Sequence, residues 1–228
     1  MPDGPIQRLP FRTSHGTPEE AQVEFLPMTT ALASAWHTEV QTIVDVSYAP
    51  GASAWTRADV GWNWKRIRGL AIAHSLFLEP VAALALIVRD DQGTPFPVGM
   101  LTAVPQLWTD VQNVSRHRSF TWYLADAPTE LYANLGISPL FGVARALIDE
   151  SIKQAKRLGD DGAMVLHADP AGGARLQKFY AGKCGMTQLT AGHPPICPLR
   201  SLKWNASEYF TLGASASVNF CSFQDGLR

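Results

Sequence analysis

Cysteine is scarce in this chain: 228 residues contain three, at positions 184, 197 and 221. So few, spaced so irregularly, make neither a disulfide framework nor a zinc site, and they point to a reduced, cytoplasmic setting. An excess of one charge is lacking too. Lys and Arg number 19 against 20 Asp and Glu, a formal net charge of −1. That balance gives no electrostatic reason to expect nucleic acid or an acidic membrane surface as partner. The two small basic clusters, Arg116-His117-Arg118 and Lys65-Arg66-Ile67-Arg68, read as solvated faces. Long apolar runs are missing: the longest covers residues 81–88, far short of the roughly 20 needed to span a bilayer. Met1 is followed by Pro-Asp-Gly-Pro, without the basic region and apolar core of a signal peptide. No repeat, no low-complexity block and no G-x-S-x-G nucleophile turn occurs, and the six histidines are dispersed without metal-ligand spacing.

What is present is core. Hydrophobic residues make up 46% of the chain, enough for one sizeable domain with extensions. Residues 1–20 are rich in Pro, Gly, Ser and Thr and read as an extended arm. Leu32, Trp36, Val40, Ile43 and Val44 recur at helical spacing over 29–47, with Thr29 or Thr30 as cap. A second helix is expected over 57–78, capped by Asp59 or Asn63. Residues 81–88 and 98–104 read as strands of a hairpin around Asp90-Asp91-Gln92-Gly93. Residues 105–118 read as polar and irregular, and 119–125 as a third strand. The clearest helix covers 142–158: Val143, Leu147, Ser151 and Ala155 line one stripe, Lys156 and Arg157 suit its C-terminal dipole, and Gly159 stops it. Residues 163–168 form a continuous apolar strand, 171–180 a further helix, and 186–189 and 209–212 the last strands. A helix between the third and fourth strands implies a parallel pair there. The fold class is therefore α/β: a mixed, mostly antiparallel central sheet with helices on both faces. The domain spans 21–190, and 191–228 is a C-terminal extension, a candidate to complete the sheet, its own or that of a homodimer.

Two stretches carry chemistry. Leu140-Phe141-Gly142-Val143-Ala144-Arg145 opens the clearest helix with small residues, and a helix N-terminus leaves amides free to hold a phosphate. Downstream, the last helix ends in Phe179-Tyr180, followed by Cys184-Gly185-Met186. Small-residue turn, helix, apolar strand, then a helix ending in tyrosine: this order resembles the C-terminal half of the GCN5-related N-acetyltransferase (GNAT) superfamily, and the match covers roughly 29–190. Two departures stand out. Pro139 occupies the position of an Arg or Gln in the family's phosphate turn, and one extra residue separates Tyr180 from Gly185.

The resemblance implies an acyl-CoA N-acyltransferase fold, with acetyl-CoA as cosubstrate bound by Leu140, Phe141, Gly142, Val143, Ala144 and Arg145. Arg145 would compensate for Pro139. The backbone of Leu124 and Ala125 would hold the pantetheine arm. Tyr180 would protonate the departing thiolate. A base for the acceptor amine is sought beside the third strand, where Asp126 and Glu130 come next, and at the next strand end, where His167 and Asp169 stand; Asp169-Pro170 also reads as a helix cap. The acceptor would be an amine of a small molecule or a protein, taken in direct transfer. Trp55, Trp62, Trp64, Trp108, Trp122 and Tyr123 would suit a bulky or apolar acceptor, although Trp36 and Trp62 read more simply as core. The two departures keep a second reading open, a GNAT-fold binding or regulatory module without catalysis.

Overall fold

The computed structural model describes residues 4–12, 16–52, 55–90, 92–190 and 206–228. Asp91, Cys197 and the prolines at 194, 195 and 198 lie outside them. A two-stranded hairpin, β1 (Arg8–Arg12) and β2 (Pro18–Gln22), precedes a seven-stranded sheet. The sheet contains β3 (Glu24–Pro27), β4 (Ala82–Arg89), β5 (Pro95–Val111), β6 (Val114–Asp126), β7 (Met164–His167), β8 (Thr187–Gln188) and β9 (Tyr209–Leu212). Its order is β3-β4-β5-β6-β7-β9-β8. Every neighbouring pair is antiparallel except β6 and β7, which run parallel as the intervening helix requires.

The first helical stretch is α1 (Thr30–Ala35), a π-helical turn Trp36–Gln41, and α2 (Thr42–Ser47). Thr29 caps it, accepting the N–H of Leu32 at 3.2 Å. Asn63, not Asp59, caps α3 (Trp64–Phe77) through the N–H of Arg66 at 3.0 Å. Short α4 (Thr129–Asn134) comes after β6. The long α5 (Val143–Arg157), α6 (Gly173–Lys178) and α7 (Ala214–Ser222) complete the set. Helices cover both faces. Tyr123 of β6 meets Trp62 and Trp64 at the start of α3. Gly99, paired to Asp126 and so on the alternate face, lies against Val143 and Leu147 of α5. A Cβ at Gly99 would stand 3.0 Å from the Val143 side chain, so glycine sets how closely α5 approaches.

Three expectations are corrected here. Residues 105–118 are not irregular: β5 continues to Val111, turns at Gln112 and Asn113 in left-handed conformation (φ 54° and 62°), and returns as β6. Successive left-handed residues make the hairpin turn whose twist matches the strands. Arg118 is not on a solvated face. It is buried in that hairpin, donating to Thr109 Oγ1 at 2.9 Å and to the Val114 carbonyl at 3.1 Å. The N-terminal arm is not a loose tail: Ile6 and Leu9 are buried in the core, and β1 pairs with β2. The stretch Tyr209–Leu212 lies between β7 and β8 of the chain's own sheet, so it is not free to extend a partner's.

A buried ion pair ties the C-terminal segment to α5. Arg228 grips Asp149 at 2.8 and 3.0 Å and donates to the Gly4 carbonyl at 2.9 Å. The Arg228 and Asp149 side chains are 4% and 0% exposed. Removing one partner strands the other's charge in the interior. Arg228→Met is expected to lower unfolding free energy by about 3–5 kcal/mol in urea denaturation, against a near-neutral effect if the pair were solvated.

Candidate active site

β6 and β7 pair only at Ser119↔Met164, Phe120↔Val165 and Thr121↔Leu166. Beyond Thr121 they part. The register of β5 against β6 slips at the same place: Thr102 faces Tyr123 and Ala103 faces Thr121, leaving Trp122 as the extra residue of a bulge. A bulge bends and twists its strand, which turns residues 122–126 away from β7. Residues 123–126 stay paired to β5 while a space opens where β7 would continue.

That space is a cavity of about 640 Å³. Leu124, Ala125 and Asp126 line one wall, Ala144 the start of α5, and Leu176, Phe179 and Tyr180 the opposite wall. Trp55, Arg57, Trp62, Arg66 and Trp122 close the remaining side. Trp36, read as core, is fully buried, but Trp62 is a half-buried cavity wall with its ring 5.0 Å from that of Tyr123.

The turn at residues 140–145 divides in two. Gly142 is the N-cap of α5 at φ +86°, a backbone state that disfavours side chains, and it supplies no capping group. Among the described residues, the first-turn amides after it therefore have no intrahelical acceptor and no side-chain cap. Its front half faces elsewhere: Leu140 bridges to Phe11 of β1 and lines a second cavity, and the Phe141 N–H goes to the Pro10 carbonyl at 2.8 Å. Val143 is buried against the sheet. The Arg145 guanidinium lies over Phe220 of α7, 5.5 Å from the ring centroid, and is not among the cavity residues.

Tyr180 lies in a π-helical turn, Phe179–Lys183, closed by the Cys184 N–H on the Phe179 carbonyl at 3.1 Å. A π turn accommodates one more residue than an α turn. The extra residue between Tyr180 and Gly185 is absorbed there. Burial pushes the Tyr180 phenol above its ordinary range, with Cys184 and Asp126 adding to the effect, and pushes the Cys184 thiol up to about 12.

Asp126 ends β6. Its side chain opens onto the cavity and is 47% exposed there, yet the surrounding walls desolvate it. That desolvation raises its carboxyl above the usual carboxylate range, against the opposing pull of Arg57. Arg57 Nη2 donates to the Asp126 carbonyl at 2.6 Å and to its Oδ1 at 3.2 Å. Glu130 does not join the site: both its oxygens accept from the Tyr48 hydroxyl, at 2.9 and 2.8 Å, outside the cavity lining. His167 lines the cavity with Nε2 3.0 Å from Glu208, and Asp169 caps the next turn through the Ala171 N–H at 2.9 Å. Arg57 escapes sequence reasoning because its partner Asp126 is 69 residues away and no local pattern links them.

No family model and no curated protein sequence matches the chain. Among solved structures it is similar to a tyrosine-to-phenylalanine mutant of the AtaT toxin bound to the C-terminus of the antitoxin AtaR, at 10% identity and TM-score 0.50, over 86% of this chain and 96% of that one. An acetyltransferase of the GNAT family from Staphylococcus aureus Mu50 aligns at 11% identity and TM-score 0.45, over 83% and 97%. Mycobacterium smegmatis RimJ in complex with CoA-disulfide aligns at 13% and 0.45, over 97% and 96%. The chain shares its overall α/β fold with that AtaT structure. At these identities the likeness is one of fold alone, and function has to be argued from the side chains where β6 and β7 part.

Ultraviolet titration of tyrosinate tests the burial of Tyr180. Burial disfavours the charged form, so its phenol stays protonated as pH rises through the ordinary value. Subtracting the Tyr180→Phe curve from that of the unmodified protein should leave no ionisation below about pH 11. A step near pH 10 would mean a solvated phenol.

Proposed function

We propose that the protein is an acetyl-CoA-dependent N-acetyltransferase acting on a primary amine of a small molecule or a protein. The observation carrying this reading is convergence: Leu124, Ala125, Asp126, Ala144 and Tyr180, far apart in sequence, line one cavity at the parting of β6 and β7. The cavity suits the cosubstrate in two respects. Its α5 end offers uncapped amides behind a glycine, where a pyrophosphate can approach the backbone. Its β6 wall, past the last β7 pairing at Thr121, brings the Leu124 and Ala125 backbone to the cavity, where an extended amide-bearing arm can lie.

Acetyl-CoA would supply a thioester carbon open to attack and, on transfer, a sulfur needing a proton. Asp126, held above the usual carboxylate range, takes the proton of the attacking amine. Tyr180, kept protonated by burial, gives its proton to the sulfur. The amine gains an acyl group and loses a proton, so the protein ends one proton richer at Asp126 and one poorer at Tyr180, and solvent exchange restores both. Trp62, Trp122 and Tyr123 offer flat apolar surface to the acceptor.

Calorimetric titration with acetyl-CoA tests the reading. Gly142 is a poor place to block the site, because its positive φ would strain any side chain. Ala144→Glu adds bulk and negative charge at the same helix end in ordinary backbone. The unmodified protein should bind, Ala144→Glu should bind at least about tenfold more weakly, and Tyr180→Phe should bind equally but turn over about 10²–10⁴-fold more slowly. No binding by the unmodified protein would favour the binding-module reading instead.

A further inference from the structure

A strap, residues 55–63, crosses the cavity between α2 and α3. Its Trp55 ring contacts the Tyr48 ring, with centroids 4.7 Å apart, and the Arg175 guanidinium of α6, 3.7 Å from the ring centroid. Nearby, Ala58 packs so closely on Gly172 that a Cβ added to the glycine would stand 3.3 Å from the Ala58 Cβ. The strap thus spans from the first helical stretch to α6, across the opening where β6 and β7 part.

Arg57 lies at the centre of the strap with its side chain 10% exposed. Nε and Nη2 hold Asp59 Oδ1 and Oδ2, both at 2.8 Å, and Nη2 also reaches Asp126. Asp59 is itself anchored from behind. Its carbonyl accepts from Gln41 Nε2 at 2.7 Å, and the same Nε2 reaches Asp45 Oδ1 at 2.8 Å. That oxygen also takes the Gly61 N–H at 2.7 Å, pinning the strap a second time. Gln41 closes the π turn Trp36–Gln41, is 1% exposed, and accepts from Trp36 Nε1 at 3.3 Å. One residue added to a helical turn rotates the remainder of the helix by about 100°. The π turn therefore decides which way Gln41 faces, and Gln41 faces the strap.

We infer that Arg57 is a positioning residue for Asp126: fixed by Asp59 and, through Gln41, by the π turn, it aims and balances the carboxylate that receives the acceptor's proton. The inference rests on the proposed role of Asp126 as base. A planar fork suits the task, because one guanidinium can clamp Asp59 bidentately and still direct Nη2 at a second group; a lysine could not do both. The pairing also sets charge. A lone arginine beside Asp126 would hold its carboxylate too acidic to take a proton from an ammonium. Asp59 offsets that pull, and desolvation then sets the direction, leaving Asp126 a stronger base than an ordinary aspartate. The groups facing Asp126 are Arg57 and Asp59 from the strap, Tyr132 from α4 and Tyr180 from the π turn after α6. Both tyrosines are held protonated by burial, so across the neutral range only the strap's two charges vary with mutation.

The test is a carbon-detected NMR titration of side-chain carboxyls in aspartate-labelled protein, with the Asp126 signal assigned by its loss in Asp126→Asn. Two variants predict opposite shifts. Arg57→Met removes the positive neighbour and should raise the Asp126 midpoint by about one pH unit or more; Asp59→Asn removes the negative one and should lower it. Asp59→Asn keeps the hydrogen-bonding shape, so it reports even if Arg57→Met does not fold. An Asp126 midpoint unmoved in either folded variant overturns the inference. Acetyl-CoA titrated into the same samples separates the two readings. Equal binding by all folded variants with opposite shifts supports the role of Arg57; binding without the shifts sinks that role alone. No binding by the unmodified protein sinks the acetyl-transfer reading and this inference with it.

Discussion

Two strands that should lie side by side do so for three residues and then part. Much else in the molecule depends on that separation. β6 carries one residue too many against β5, and Trp122 is expelled as a bulge. The added twist costs β6 its contact with β7 beyond Thr121. The parting opens a cavity, and the protein has built its charged and aromatic side chains around it. Without the parting, α5 and α6 would pack on a closed sheet and there would be nowhere for a second molecule to enter.

Helix irregularities place the groups at that opening. Two π turns, Trp36–Gln41 and Phe179–Lys183, sit on either side of the cavity. The first turns Gln41 inward to hold the strap, and the second takes up the residue that would otherwise displace Tyr180 relative to Gly185. Each costs a regular hydrogen bond or two in its helix and gains an orientation that an unbroken α-helix cannot supply. Arg57 and Tyr180 reach the same cavity from opposite sides because of them.

Much of the frame is legible in the residues. The stripe Val143, Leu147, Ser151, Ala155 specifies α5, Thr29 caps α1, Asp169-Pro170 opens the turn before α6, and an apolar strand after a helix implies the parallel pair. Other parts are hidden for physical reasons. The hairpin of β5 and β6 looks polar and irregular because Arg118 is spent on internal hydrogen bonds, where a charged residue is normally a surface signal. The N-terminal hairpin is disguised by proline and glycine, although Ile6 and Leu9 supply core. Glu130 and Arg145 stand near the chemistry in sequence, yet Tyr48 and Phe220, remote along the chain, take them.

Sequence alone determined the order of the central elements, from the first helical stretch to α6, since periodicity and caps act over a few residues and are written locally. It also singled out Tyr180, Asp126 and Ala144, because strand ends and helix starts in a mixed sheet collect at one edge. Only the tertiary structure decided that these three share a cavity with Arg57, that the turn at 140–145 gives Ala144 to the cavity and its front half to β1, and that the carboxylate beside the opening is Asp126 and not Glu130. Those outcomes depend on contacts between residues scores of positions apart. A bulge, a π turn or a buried pair selects among such contacts, and no local pattern encodes the choice.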